Sequence, residues 1–170
     1  ENETGKLIWS ALLGRPDDPS FPIASNETVA MVVTGLDIFA VEKFTGKILW
    51  KLRAPSSPST SPAVDKNQVY LGFLDGSVYA IDLKKVRELY AERRLPAWSF
   101  QTIAWRYATG KEVTTPAITN GTVVNFASRD GSLYTVSASK RELLFQFETD
   151  APVSAPIASS NRFLFMASED

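Results

Sequence analysis

The sequence contains neither cysteine nor histidine among its 170 residues. Without cysteine, this stretch has no disulfide, no thiolate metal site and no cysteine nucleophile. Without histidine, it has no Ser-His-Asp triad and no histidine general base, and most zinc and iron sites are excluded. The chain therefore carries few of the side chains that enzymes use most often.

Charge and hydropathy exclude two further classes of protein. The chain has 18 Lys and Arg against 19 Asp and Glu, a formal net charge of −1, so it is not a globally basic nucleic-acid-binding protein. No apolar run approaches the roughly 18 residues that suggest a membrane-spanning helix. Apolar residues make up 44% of the chain, which is enough for the core of one domain or of a piece of a larger domain.

Short motifs recur along the chain in a fixed order. Thr-Gly-Lys-x-x-Trp occurs at residues 4–9 and again at residues 45–50, which are 41 residues apart. Asp-Gly-Ser-x-Tyr occurs at residues 75–79 and 130–134. A proline followed by an apolar residue recurs at Pro22, Pro62, Pro116 and Pro156. A repeat of about 40 residues, with one longer interval between Pro62 and Pro116, indicates a repeat architecture.

Alternating apolar and polar residues predict four short strands in each period. In the second period, residues 69–73 and 77–82 alternate, and Asp75-Gly76 forms a hairpin signal between them. The third period repeats this pattern at residues 123–127, 132–137 and 143–147. Four antiparallel strands per 40 residues are typical of a β-propeller blade. A β-sandwich is the alternative, although a sandwich does not require the same motif every 40 residues.

We therefore predict an all-β propeller of four-stranded antiparallel blades, with about four blades or part of a larger ring, and one short helical insertion. The chain is interpreted as a single propeller fragment, residues 1–170. It comprises a blade end, three blades and a partial blade, at about residues 1–12, 13–52, 53–108, 109–148 and 149–170. Because both ends fall inside a repeat, we expect a longer propeller, and the incomplete blades offer a means of self-association.

One aromatic residue occupies the same position in each period. The four residues are Trp9, Trp50, Trp105 and Phe145. A single blade cannot bury both faces of its sheet, so neighbouring blades must stack. A large aromatic side chain at a fixed position supplies buried area at each junction. We predict that these four side chains dock each blade against the next.

The second blade contains an insertion that breaks the strand pattern. Within residues 84–94, Val86, Leu89 and Tyr90 have helical spacing, and Pro96 is expected to end the helix. Hairpins in a blade alternate between the two ends of the strands. The helix should therefore lie on the same face as the turn at Asn120, close to it, and opposite the Asp75-Gly76 hairpin.

The insertion is also the most basic segment of the chain. Residues 84–94 hold five Lys or Arg and two Glu, a local net charge of +3. Arg87, Arg93 and Arg94 are candidate contacts for a protein partner, because loops on a rigid scaffold often carry function. The alternative is a solvated helix that covers part of one propeller face.

Three carboxylates are candidates for metal binding or catalysis: Asp75, Asp82 and Asp130. Asp75 and Asp130 precede glycine in hairpins, where turn chemistry alone favours aspartate. Asp82 occupies the acidic turn position of the repeat. We therefore expect structural roles for all three, and predict no catalytic, cofactor-binding or metal-binding residue in this stretch.

Residues 40–50 read Ala-Val-Glu-Lys-Phe-Thr-Gly-Lys-Ile-Leu-Trp. This segment resembles the repeat signature of quinoprotein-type propellers, Ala-x-Asp-x-x-Thr-Gly-Lys-x-x-Trp, with Glu42 in place of Asp. Residues 1–9 match the second half of the signature. The family includes alcohol dehydrogenases that bind pyrroloquinoline quinone, and non-catalytic members such as the outer-membrane assembly lipoprotein of the Bam complex.

The resemblance implies a non-catalytic scaffold that binds protein partners, located outside the cytoplasm in the periplasm or cell envelope, with no cofactor. The alternative it implies is part of a dehydrogenase that depends on pyrroloquinoline quinone and calcium. Those enzymes often carry an adjacent cysteine pair, which this stretch lacks. A third hypothesis is a carbohydrate or polymer binder, for which the sequence shows no aromatic platform apart from the docking tryptophans.

Overall fold

Antiparallel sheets follow one another along the chain in the computed structural model, which describes residues 4–170. Three sheets have four strands and the last has two, and within each sheet the strands pair in sequence order. The predicted all-β propeller fold is confirmed. Residues 1–3 of the predicted blade end lie outside the described residues.

The strand bounds define the sheets. The first sheet contains β1 (Ala24–Ser25), β2 (Val29–Thr34), β3 (Asp37–Glu42) and β4 (Ile48–Arg53). The second contains β5 (Ala63–Val64), β6 (Gln68–Gly72), β7 (Ser77–Asp82) and β8 (Ile103–Ala108). The third contains β9 (Ile118–Thr119), β10 (Val123–Ala127), β11 (Ser132–Ser137) and β12 (Leu143–Glu148). The half-sheet contains β13 (Ala158–Ser160) and β14 (Phe163–Phe165).

Strand register shows that the three full sheets are copies of one unit. The third strand places Ala40 opposite Trp50, Ala80 opposite Trp105, and Thr135 opposite Phe145. In each sheet the register shifts immediately after that residue of the third strand. A bulge at the same point in each sheet bends the outer strands in the same way.

The core lies between sheets rather than within them. Met31 and Trp50 of the first sheet share a buried cluster with Leu71 of the second sheet. Trp105 of the second sheet shares another buried cluster with Phe126 of the third sheet. A smaller cluster, including Leu133 and Ile157, joins the third sheet to the segment that leads into the half-sheet. Burial of apolar area at these junctions is what holds successive blades together.

The insertion forms helix α1 (Leu83–Ala91), followed by a 3₁₀ turn at Phe100–Thr102. The helix begins where the Asp82 side chain accepts hydrogen bonds from the amides of Lys84 and Lys85, as expected of an N-cap residue. Leu83, Val86 and Leu89 are its buried residues.

The predicted end of the helix was wrong. The helix stops at Ala91, five residues before Pro96. Arg93 adopts a left-handed conformation, with φ of 59°, and the Arg94 amide donates to the Leu89 carbonyl at 2.9 Å. Together these features form a C-terminal cap that closes the helix before proline is reached.

The position of the helix agrees only in part with the prediction. The Leu83 amide donates to the Asn67 carbonyl at 3.0 Å, so the insertion leaves the sheet beside the turn that links β5 and β6, on the predicted face. Val86 and Leu89 then join the cluster that contains Trp50, and the helix packs on β4. The prediction that it would lie near Asn120 was wrong. The apolar face of the helix packs at the junction between the first and second sheets, whereas Asn120 belongs to the third sheet.

Candidate interaction surfaces

The tryptophan position of the repeat makes a specific contact with the following sheet. Trp9 Nε1 donates to the Lys43 carbonyl at 2.8 Å, and Trp105 Nε1 donates to the Ala138 carbonyl at 2.6 Å. Lys43 and Ala138 occupy equivalent positions in their sheets. The backbone amide of each donates a hydrogen bond to a carbonyl in the turn between the first two strands of its own sheet. The same contact therefore forms at two junctions. In each, the indole N–H donates to a backbone carbonyl in the turn between the third and fourth strands of the following sheet.

Trp50 lies at the junction that the helix occupies. Its side chain is 2% exposed. Leu83 stands where Lys43 and Ala138 stand in the other sheets, but here the residue begins helix α1, and its carbonyl accepts from Arg87 Nε at 3.1 Å. The helix takes the place of the turn, and its buried side chains Val86 and Leu89 pack in the cluster that contains Trp50.

Phe145 lies on a face of the third sheet that is exposed, whereas the equivalent faces of the first and second sheets are covered at their junctions. It is 53% exposed, and all six residues of β12 are exposed. The half-sheet and the segment before it pack against Leu133 and Ala127 of the third sheet. The docking role of Phe145 stays a prediction.

The three arginines of the insertion do not form one cluster of free charges. Arg87 is hydrogen-bonded within the helix. Arg94 Nη1 lies 3.0 Å from Glu92 Oε2, and its Nη2 donates to Gln101 Oε1 at 2.9 Å. Arg93 lines an open groove of about 480 Å³ between the end of the helix and β4. Tyr90 and Lys51 line the same groove. The role of these arginines in partner binding stays a prediction.

The three candidate carboxylates hold local structure. Asp75 accepts from the Ser77 amide at 2.9 Å, and Asp82 caps the helix. Asp130 Oδ1 accepts from the Ser132 amide, while its Oδ2 accepts from the Tyr134 hydroxyl at 2.6 Å and from the amide of Gly110 at the end of the second sheet, at 2.7 Å. Within residues 4–170, no group of three or more acidic side chains is placed to hold a metal ion.

Ionisable groups with shifted pKa values belong to these structural contacts. Burial raises the pKa of Tyr70, and its hydrogen bond to Asp65 raises it further. Burial likewise raises the pKa of Tyr134, which donates to Asp130. Both shifts arise because a phenolate would be desolvated beside a carboxylate.

Glu42 shows why the repeat places an acidic residue three positions before Thr-Gly. Its carboxylate accepts hydrogen bonds from the Thr45 hydroxyl and, at 2.7 Å, from the Thr45 amide. The hydroxyl hydrogen bond is the main cause that lowers the pKa of Glu42. The exposed turn is thus closed by an ionised side chain.

The sequence also matches a known protein family. A profile of the family described as outer membrane protein assembly factor BamB matches residues 1–103. The chain belongs to this family. The predicted relationship to quinoprotein-type repeats is confirmed. The match covers the first sheet and most of the second, including helix α1. No curated protein matches the sequence at a significant level.

Solved structures show the same fold at low sequence identity. BamB from Moraxella catarrhalis superposes with a TM-score of 0.71 at 14% identity, over 91% of this chain and 45% of that one. The chain thus spans about half the length of that BamB. The computationally designed Ika4 protein gives a TM-score of 0.75 at 14% identity, over 98% and 94% of the two chains. The designed Ika8 protein gives 0.68 at 13% identity, over 88% and 43%.

Among residues 4–170, no helix has the length and apolar character needed to cross a membrane. The single α-helix of this region, α1, has nine residues.

Proposed function

We propose that this BamB-family chain is a non-catalytic propeller scaffold that binds a protein partner outside the cytoplasm, in the cell envelope. The observation that carries this proposal is the family match over residues 1–103. The contacts of Asp75, Asp82 and Asp130 support it, because these carboxylates hold turns and a helix end.

The partner surface in this proposal is the outer side of the insertion. Its inner side is fixed by Leu83, Val86 and Leu89 in the core, so the outer side is presented by a rigid element. That outer side carries Arg87 and ends at the groove lined by Arg93. A basic surface on a rigid scaffold suits a partner with an acidic surface, and attraction of this kind acts mainly on the association rate.

The proposal is tested first by locating the partner. A photo-crosslinking amino acid at Tyr90, in the groove, should capture an envelope protein in living cells. The same residue placed at Phe44, an exposed site on the first sheet, serves as the control. The captured protein is then purified, and its affinity for the wild-type chain is measured by calorimetry at two salt concentrations.

Charge reversal tests the surface directly. The triple variant R87E/R93E/R94E should weaken binding by about tenfold or more, and added salt should weaken wild-type binding. The matched control is R129E/K140E/R141E, which reverses three charges on the third sheet. Arg141, like Arg93, has φ of 59°, so both triple variants place one glutamate in a left-handed backbone conformation. Circular dichroism and thermal melting verify that both variants fold. Equal affinity of wild type and both variants would contradict the proposed surface.

A separate assay tests the absence of catalysis. The chain is incubated with pyrroloquinoline quinone, calcium, an alcohol and a redox dye. No saturable quinone binding and no dye reduction are expected. Saturable binding with reduction of the dye would support the dehydrogenase alternative and contradict the scaffold.

A further inference from the structure

The junction between the third sheet and the half-sheet departs from the repeat in its chemistry. Strand register makes three cross-strand pairs equivalent: Met31 with Ala40, Tyr70 with Ala80, and Asn125 with Thr135. Members of the first two pairs lie in the buried clusters that join their sheets to the next sheet. At the third junction, the equivalent side chains are an amide and a hydroxyl.

Asn125 is buried, at 7% exposed. The Thr135 hydroxyl donates to Asn125 Oδ1 at 2.7 Å. This bond uses the amide oxygen and leaves Asn125 Nδ2 with two protons to donate, and among residues 4–170 no group accepts them. Asn125 Nδ2 is nevertheless not one of the fully buried unpaired atoms of the described residues, so it is reached from the surface, and its two protons are available to an acceptor that enters from outside.

Asn125 and Thr135 line a cleft of about 300 Å³ between the third sheet and the half-sheet. The half-sheet contributes Ser159, Arg162 and Phe163 to its walls. The ring of Phe163 is 67% exposed. The cleft therefore combines one open aromatic ring with a small set of polar groups, as small-molecule sites do, at the lower end of their usual size.

The geometry points to a saccharide-binding site in this cleft. Asn125 Nδ2 and the Arg162 guanidinium are donors, whereas Thr135 Oγ1, having given its proton to Asn125, is an acceptor. A sugar ring carries adjacent hydroxyls that both accept and donate, so it satisfies both kinds of group. A carboxylate can only accept and would face the Thr135 oxygen unfavourably. The apolar face of a sugar ring would lie against Phe163.

The first test is binding of defined sugars to the wild-type chain. Saturation-transfer NMR is recorded with methyl glucoside, methyl galactoside, methyl mannoside and N-acetylglucosamine, each at about 10 mM, well above a Kd of about 1 mM. Acetate is the charged comparison. Transfer to at least one sugar is expected. No transfer to any of these sugars, or transfer to acetate alone, would overturn the proposal.

The second test restores the repeat chemistry at this junction. The double variant N125M/T135A reproduces the Met31–Ala40 pair, which packs at the first junction, so we expect it to fold. It should bind the sugar about tenfold or more weakly, because the polar groups are gone. Unchanged binding in a folded N125M/T135A variant would overturn the proposal.

Surface variants keep the test decisive if the double variant fails to fold. R162A and F163A change side chains that are already exposed, and each should weaken binding. The matched controls R129A and F100A remove an arginine and an exposed phenylalanine outside the cleft, and should bind like wild type. Equal loss in test and control variants would overturn the assignment of the site to this cleft.

Discussion

Gly46 packs against the indole of Trp9 at a distance that leaves no room for a side chain. A Cβ atom at Gly46 would stand 2.6 Å from Cδ2 and Cε3 of the ring. Gly46 also has φ of +73°, a conformation in which glycine has no steric penalty. The glycine of the Thr-Gly-Lys motif therefore serves both its own turn and the docking of the preceding blade end.

Substitution of Gly46 should separate these two roles. Gly46→Ala should lower the free energy of unfolding by about 2–5 kcal/mol, the sum of left-handed strain of about 1–2 kcal/mol and overpacking of about 1–3 kcal/mol. Gly121 is the matched control: its φ is +84°, and nothing lies within 4 Å of its absent Cβ. Gly121→Ala should cost only the left-handed strain, about 1–2 kcal/mol. Urea unfolding gives both values.

A double-mutant cycle identifies the clash itself. If the indole is the obstacle, Gly46→Ala should cost less in a Trp9→Ala background, and the coupling energy should be about 1 kcal/mol or more. Additive effects of Trp9→Ala and Gly46→Ala would show that the two residues do not touch in solution.

Trp50 should contribute more to stability than any exposed aromatic side chain. Its side chain is 2% exposed in the cluster that joins the first sheet, the second sheet and helix α1. Trp50→Ala should cost about 3–5 kcal/mol, as truncation of large buried aromatic residues does. The control Phe100→Ala removes a side chain that is 79% exposed and should change stability by less than about 0.5 kcal/mol. Similar midpoints in urea for both variants would place Trp50 at the surface.

Local chemistry explains why much of the fold could be predicted from the sequence. β7 has the bounds predicted from its alternation, residues 77–82. Asp75 and Gly76 mark its start because the Asp75 carboxylate accepts from the Ser77 amide and Gly76 has φ of +77°. β10 and β11 also have their predicted bounds. These strands are set by turn residues and period-two patterning, both of which are visible in a single sequence.

The packing partners of each element could not be predicted in the same way. Helical spacing identified Val86 and Leu89 as one face but not the junction that the face would cover, because two neighbouring sheets offer apolar surface. The helix end was also missed, since Arg93 supplies the left-handed cap that glycine or asparagine usually supplies. A register alignment of the repeats would have shown Asn125 in place of Met31 and Tyr70, the signal for the polar cleft.

The carboxylate of Glu42, in the turn between β3 and β4, gives a prediction about pH. Its pKa is lowered in the folded chain, mainly by the Thr45 hydroxyl. A carboxyl group whose pKa is lower when folded adds stability above its unfolded pKa of about 4.3, and this stability disappears as the pH falls through the folded pKa. Wild type should therefore be more stable than Glu42→Gln at pH 7, and the difference should shrink below about pH 4.

Variants of Thr45 test the cause of that shift. Thr45→Ser keeps the hydroxyl and should keep the lowered pKa of Glu42, whereas Thr45→Val removes the hydroxyl and should move the pKa upward, towards that of an unperturbed glutamate. Titration of the Glu42 carboxyl carbon by NMR measures the pKa in each variant. Because the Thr45 amide still donates to Glu42 in both variants, the difference between them isolates the hydroxyl. The same pKa in Thr45→Ser and Thr45→Val would show that backbone amides alone hold the carboxylate, and that the threonine of the motif is retained for another reason.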